Sequence, residues 1–397
     1  MDFTSERIHE VLKELIKIPS PYFQEQAITE YVYQFMKNTG ISTFRQKVAE
    51  AQLQDYEGEN IIGFLDAGKE KTIMINAHMD TVYPSSDWKT DPYKPYVSGD
   101  EMVGLGAADM KGGLAVMLLL AEYLMNQLKE GITPNYNVIL LASVDEEGPD
   151  SLGARIFLKD KLAKRVDYAL VLESGQGLTR GEAAFPSVIH RSLGCYLYLI
   201  TVTGQSAHAA DPEAGANAID TMGKVIEALK KVELEKSEGF SRPVSNVLWI
   251  KGGEKALSTP EKCELLVDFH VTPEENHEKL RQQISETIKA LKLSVRTEVD
   301  FWRNGKGEPI LYPPYDWDFN HPLTEALSKS CRNITGQLGE NAPASICVGD
   351  FNHFSDAGIP TVILGPDGHH LHAGGEAVNL KDLEDLTAVL ADFLLIG

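Results

Sequence analysis

The chain has 397 residues, more than one ordinary domain holds and suited to two. With 43% hydrophobic and 24% charged residues it has the composition of a soluble globular protein. A formal charge of -21 repels phosphate backbones and excludes nucleic acid as a partner. No run approaches the roughly 18 apolar residues that a membrane span needs, so no membrane partner is expected. Four cysteines, Cys195, Cys263, Cys331 and Cys347, are scattered without a C-x-x-C pair, the pattern of buried reduced thiols in a reducing compartment. The opening Met1 to Glu6 is acidic and polar rather than a secretory leader, and a cytoplasmic location is expected.

In chain order, Ile8, Val11, Leu12, Leu15 and Ile16 fall at helical spacing over 5–18, and Pro19 and Pro21 stop that helix. A second helix is predicted over 27–37, then strands over 60–65 and 72–76. Gly112 to Leu128 reads as a long apolar helix. The continuous apolar run Tyr136–Val144 reads as a strand buried on both faces, and Ala169–Leu172 as another. Strands alternating with helices predict an α/β sheet covered on both sides.

Near residue 188 the pattern changes. Strand 197–203, helix 216–232, strands 244–251 and 263–271, helix 275–291 and strand 293–301 give the β-α-β-β-α-β order of a ferredoxin-like domain. Residues 305–320, rich in Pro, Gly, Tyr and Asp, read as a return linker. The first pattern then resumes with helix 322–336, strand 343–348, helix 351–357, strand 361–364 and a helix from Leu380. The reading is an α/β domain with a mixed sheet flanked by helices, residues 1–187 and 305–397, interrupted by a ferredoxin-like α+β domain over 188–304.

Five clusters of acids and histidines punctuate the first pattern: His78-Met79-Asp80, Asp109, Glu146-Glu147, Glu173 and His372. Each follows an apolar run or sits in a glycine-rich turn, where side chains converge on the sheet edge that serves as the ligand crevice of open α/β folds. Imidazoles with carboxylates suit zinc, manganese or cobalt, and a carboxylate left over beside the metals can act as general base. His78 and Asp80 lie two apart on extended chain and point to one side. Asp80 is either the carboxylate that orients the imidazole or itself a ligand. Asp109 takes the place of the third glycine in Gly104-Leu105-Gly106-Ala107-Ala108-Asp109, which argues against a phosphate loop. Its two oxygens can instead bridge two cations. Asp145, Glu146 and Glu147 repel one another unless cations neutralise them, or else they occupy a helix N-terminus. His208 lies in the loop Gly204–Ala210, and His353, His369 and His370 surround the last cluster. His9, His277 and His321 read as solvated.

Taken together, "NAHMDTV" (76–82), "GLGAADMKGG" (104–113), "DEEG" (145–148), "GQSAHAADPEAGANAI" (204–219) and "HAGGEAV" (372–378) resemble a metallopeptidase and aminoacylase family. It is the family of acetylornithine deacetylase, succinyl-diaminopimelate desuccinylase and glutamate carboxypeptidase, and the resemblance runs over about 7–395. The resemblance implies two divalent ions, Zn2+ with Co2+ or Mn2+ as alternatives. It implies His78, Asp109 and Glu173 as ligands of one, and Asp109, Glu147 and His372 as ligands of the other. Glu146 would be the general base and Asp80 the partner of His78. His208 would reach the substrate carbonyl, across a homodimer interface made by the inserted lid and dimerisation domain, and Asn217 and His270 would lie at the substrate. The implied substrate is a small peptide or an N-acyl amino acid. The chain departs from the family pattern at Leu257, where an asparagine is expected, and at His270, where an arginine is expected. An imidazole lacks the bidentate fork of arginine, so carboxylate specificity does not carry over; Arg191, Lys251 and Arg303 are candidate replacement cations. The rival reading is a non-catalytic paralogue that binds small molecules or peptides.

Overall fold

A computed structural model of the chain describes residues 5–50, 56–338 and 342–396. Met1–Thr4, part of the opening used above, lie outside the described residues. The chain divides into two compact units: Met1–Ser192 with Asp316–Gly397, and Leu193–Tyr315 between them.

The first unit is built on a six-stranded mixed sheet. Its strands are β1 (Ser42–Glu50), β2 (Tyr56–Leu65), β3 (Thr72–His78), β4 (Asn137–Ser143) and β5 (Tyr168–Val171), all before the second unit. Strand β3 is parallel to both β4 and β5, while β2 runs antiparallel to β4 and to β1. Every residue of β3 and β4 is buried, as expected of strands covered on both faces. Ile73, Ile75 and Ala77, with Val138, Leu140 and Ala142, join the core built on helices α1 (Ser5–Lys17), α2 (Gln26–Thr39) and α3 (Gly112–Lys129). Met74, Ile139 and Leu141, on the other face, are buried as well. Eleven residues of α3 are buried, so its wide apolar surface is that of an interior helix. Gly113 opens it: a Cβ there would stand 2.3 Å from the carbonyl oxygen of Leu172, so only glycine lets the helix approach the end of β5.

Between α2 and β2, where the sequence analysis assigned no element, lies the edge strand β1. Its residues Arg45 and Lys47 pair with Glu59 and Glu57 of β2, and these charges mask a strand in the sequence. A short helix α4 (Leu152–Phe157) follows β4.

The second unit has the predicted order: β6 (Gly194–Thr203), α5 (Ala218–Leu229), β7 (Val244–Gly252), β8 (Lys262–Val271), α6 (His277–Lys289) and β9 (Arg296–Phe301). The sheet runs β7-β8-β6-β9, all antiparallel, the ferredoxin-like arrangement. One face carries Cys263, Leu265, Val267 and Phe269 into a core shared with Met222, Val225, Leu280 and Ile284 of the two helices. Part of the expected linker belongs to this unit: β10 (Leu311–Tyr312) pairs with Tyr196 and Cys195 of β6, which carries the unit on to Tyr315.

The chain then returns to the first unit with α7 (Pro322–Thr335), α8 (Asp350–Asp356), β11 (Thr361–Ile363) and α9 (Leu380–Leu395). Strand β11 lies parallel to β5 and completes the sheet. The strand expected over 343–348 does not form. Pro343 has no N–H to give a ladder, and the Ser345 hydroxyl accepts the Cys347 N–H at 3.1 Å, closing a local turn instead. No described helix is long and apolar enough to cross a membrane. All four cysteines are free, with Cys195, Cys263 and Cys331 buried.

Candidate metal centre

Three adjacent parallel strands, β4, β3 and β5, deliver the site at their carboxyl ends. His78 ends β3 opposite Ser143, the last residue of β4. Asp145–Glu147 follow β4, and Glu173 follows β5. Asp109 arrives from the turn before α3. Gly106 there takes φ 78, and a Cβ on it would stand 2.6 Å from the Thr81 methyl. His372 comes from the loop after β11 and holds a positive φ of 62. The acids at 145–147 are not the first turn of a helix, because α4 begins only at Leu152.

These residues form two groups that share Asp109. His78 Nε2 lies 3.1 Å from Asp109 Oδ1 and 3.1 Å from Glu173 Oε1. His372 Nε2 lies 3.1 Å from Asp109 Oδ2 and 3.1 Å from Glu147 Oε2. In each group the donor atoms lie within 4.8 Å of one another. Donors about 2.0–2.1 Å from a tetrahedral ion stand about 3.3 Å apart, so both groups fit a zinc-sized cation. Glu146 joins neither group; its Oε2 is 3.9 Å from His78 Nε2.

Asp80 does more, and by a different route, than a carboxylate–imidazole pair. The His78 Nδ1 contact is 3.0 Å to the backbone carbonyl of Asp80, while the carboxylate stands off at 3.6 Å. Its other oxygen accepts the Glu147 N–H at 2.9 Å. One buried residue therefore orients a donor in each group.

The electrostatics call for cations. Asp80, Asp109, Glu146, Glu147, Glu173 and Asp350 surround two imidazoles. Burial, with repulsion from neighbouring acids, raises Glu146 well above the usual carboxylate range and Glu147 to about 7. Burial opposes a charge on His78, yet Asp109, Asp80 and Glu173 raise it well above the usual imidazole value. Asp109 and Glu147 push His372 up to about 11. Glu147 Oε1 and Asp80 Oδ1 have no hydrogen-bond partner among the described residues. Positive charge placed between these groups answers all of these observations at once.

Several contributors were not singled out from the sequence. Glu376 is buried and accepts the N–H groups of Gly106, Ala108 and Asp109 at 2.9–3.1 Å, fixing the turn that carries Asp109. Its signal was an acid between two glycines and an apolar strand in "HAGGEAV". Asp350 accepts the Ser143 hydroxyl at 2.6 Å at the end of β4. The buried Lys111 Nζ donates to the carbonyls of Leu15 and Ile18 and ties the end of α1 to the same turn.

The remaining candidates take other places. His369 pairs with Glu101 at 2.9 Å, and His353 is buried in α8. The three histidines read as solvated have structural partners: His9 faces Glu384, His277 packs edge-on against Tyr196 and Phe301, and His321 caps α7. His208, Asn217, Leu257 and His270 belong to the second unit. His208 is exposed, and its Nδ1 accepts the Ala210 N–H. The Asn217 side-chain oxygen caps α5 through the N–H groups of Ile219 and Asp220. Leu257 is 77% exposed. Among the candidate replacement cations, Arg191 belongs to the first unit rather than the insert and lies 3.5 Å from Asp316. Arg303 is engaged by Asp300 at 2.9 Å, and Lys251 lies over the Trp249 ring.

An α/β sheet edge carrying imidazole and carboxylate groups of this geometry defines a metallohydrolase. The chain belongs to peptidase family M20/M25/M40, whose model matches residues 74–396. It is 26% identical over 415 aligned positions to N-formyl-4-amino-5-aminomethyl-2-methylpyrimidine deformylase of Bacillus subtilis, covering 98% of this chain and 94% of that one. It is 29% identical to succinyl-diaminopimelate desuccinylase of Nitrosococcus oceani, covering 87% of this chain and 88% of the relative. Among solved structures, a tripeptidase from Staphylococcus aureus superposes with a TM-score of 0.77 at 20% identity, covering 99% of this chain and 98% of that one. At that identity the likeness is one of fold.

Proposed function

We propose that the protein hydrolyses a C–N amide bond in a small peptide or an N-acyl amino acid. One observation carries this reading: the two oxygens of Asp109 each lie 3.1 Å from the imidazole of a different donor group, as a carboxylate bridging two ions requires. His78, Asp109 and Glu173 would hold one ion, and Asp109, Glu147 and His372 the other. Zn2+ suits the donors best, and Co2+ and Mn2+ take the same set. When bound, such a pair supplies Lewis acidity at a carbonyl oxygen and an acidified water.

The other steps fall to the chain's own groups. Glu146 belongs to neither donor group, and its Oε2 lies 3.9 Å from His78 Nε2. Its carboxylate takes the proton of the attacking water and returns it to the leaving nitrogen. Asp80 positions His78 and Glu147. His208 would donate to the carbonyl oxygen as negative charge develops there, and Asn217 would lie beside the substrate. A homodimer through the second unit is supported by its edge strand β7, where Val244, Val247, Leu248 and Ile250 are exposed. The relatives named as a deformylase and a desuccinylase agree with this reading.

The test is metal analysis of purified protein, followed by chelation and metal re-addition in a screen of dipeptides and N-acyl amino acids. Two ions at this centre, one per donor group, with activity lost on chelation and restored by the metal, are expected. Activity that survives full chelation overturns the proposal.

A further inference from the structure

A second convergence of ligand-type side chains lies in the unit Leu193–Tyr315 and shares no residue with the two donor groups described above. On β8, Asp268 and His270 are two residues apart and share a face of the sheet. Cys195 on β6 is the direct cross-strand partner of His270. The opposite face of β8 carries Cys263, Leu265, Val267 and Phe269 into the helix-covered core, so the three polar residues occupy the side away from α5 and α6. One donor atom from each of Cys195, Asp268 and His270 lies within 4.8 Å of the others. His270 Nε2 is already 3.5 Å from Asp268 Oδ2.

A second observation points to a ligand. Asp268 is only 9% exposed, and its Oδ1 has no hydrogen-bond partner among the described residues. A carboxylate oxygen withdrawn from water without a partner is costly, and a cation removes that cost. A nucleophilic Cys-His-Asp relay does not describe the cluster. A relay places acid and sulfur on opposite edges of the imidazole, each at its own nitrogen. Here the sulfur and the carboxylate oxygen lie within the same 4.8 Å group as the ring nitrogen.

We propose that Cys195, Asp268 and His270 form a separate mononuclear site for a thiol-binding divalent ion of the Zn2+ class. A thiolate, a carboxylate and a neutral imidazole carry two negative charges and balance a divalent ion. Mixed S, N and O donors select zinc or cobalt over magnesium or calcium. Three protein donors leave a fourth position for water or a small anion. Binding releases the Cys195 proton, since the thiolate is the ligand. His270 then serves as a ligand rather than as a stand-in for the missing arginine.

The sulfur donor gives a readout that the hydrolytic centre does not share, because that centre has only N and O donors. The full-length protein, stripped of metal, is titrated with Co2+. Expected is a near-ultraviolet sulfur-to-cobalt charge-transfer band that saturates with added Co2+ and is bleached by Zn2+. Cys195→Ser abolishes the band and lowers the bound metal by one ion per chain, while Cys263→Ser retains both. Absence of the band in the unmodified protein at saturating Co2+ overturns the proposal, and that arm needs no variant to fold. A band that survives Cys195→Ser, as one from Cys347 would, overturns it too. The band counts this site alone, so the outcome is independent of whether the hydrolytic centre holds two ions.

Discussion

In the proposed mechanism Glu146 is the residue that separates binding from turnover. It lies beside both donor groups and belongs to neither, so Glu146→Gln removes a proton carrier and leaves every donor in place. Turnover should fall by about 10²–10⁴-fold, with metal content unchanged. Near-normal turnover in that variant rules out the assigned role. Its neighbours were legible in the sequence because each follows an apolar strand or a glycine turn, positions that a reader can place at a sheet edge. Glu376 was not legible for the same reason in reverse. It acts on Gly106, 270 residues away, and no local spacing links them. Asp80 shows a subtler limit: the spacing H-x-D predicts a carboxylate on the imidazole, but the strand end turns so that the backbone carbonyl makes the 3.0 Å contact.

Among the elements, α8 carries the clearest consequence for stability. It buries Asp350–Ser355 beside β11, including His353. Burial, reinforced by Arg155, pushes that imidazole down from 6.5 to about 3. The unfolded chain therefore takes up a proton that the native protein refuses. The native state carries no such penalty above about pH 6.5, and loses up to about 1.4 kcal/mol per pH unit from this group as pH falls below it toward 3. Denaturation measured from pH 7 to 5 should show a shallower loss in His353→Asn than in the unmodified protein, and equal slopes would contradict the burial argument. Elements were read correctly where periodicity was strong, as in α3 and β4, and passed over or misread where local chemistry competed. Strand β1 hides behind charges that pair across the ladder, and the predicted strand at 343–348 yields to the Ser345 turn.

For the whole molecule, the exposed apolar edge β7 makes the association state testable. Sedimentation should show a dimer that a Val247→Glu, Ile250→Glu double variant converts to monomer; a fully active monomer of the unmodified chain would contradict the dimer proposal. The division of the chain, unlike its fold, also sets an order in time. The second unit is one unbroken stretch, Leu193–Tyr315, whereas the first is completed only when β11 reaches β5 and His372 reaches Asp109. Until then the half-made centre holds carboxylates with a single imidazole. During refolding of the full chain, pulse hydrogen exchange should protect β6 and β8 before the β5–β11 ladder, and the reverse order would refute this. If the same order holds on the ribosome, the insert is complete while its host still waits for its closing strand, and the group of Asp109, Glu147 and His372 is the later of the two to be able to take an ion.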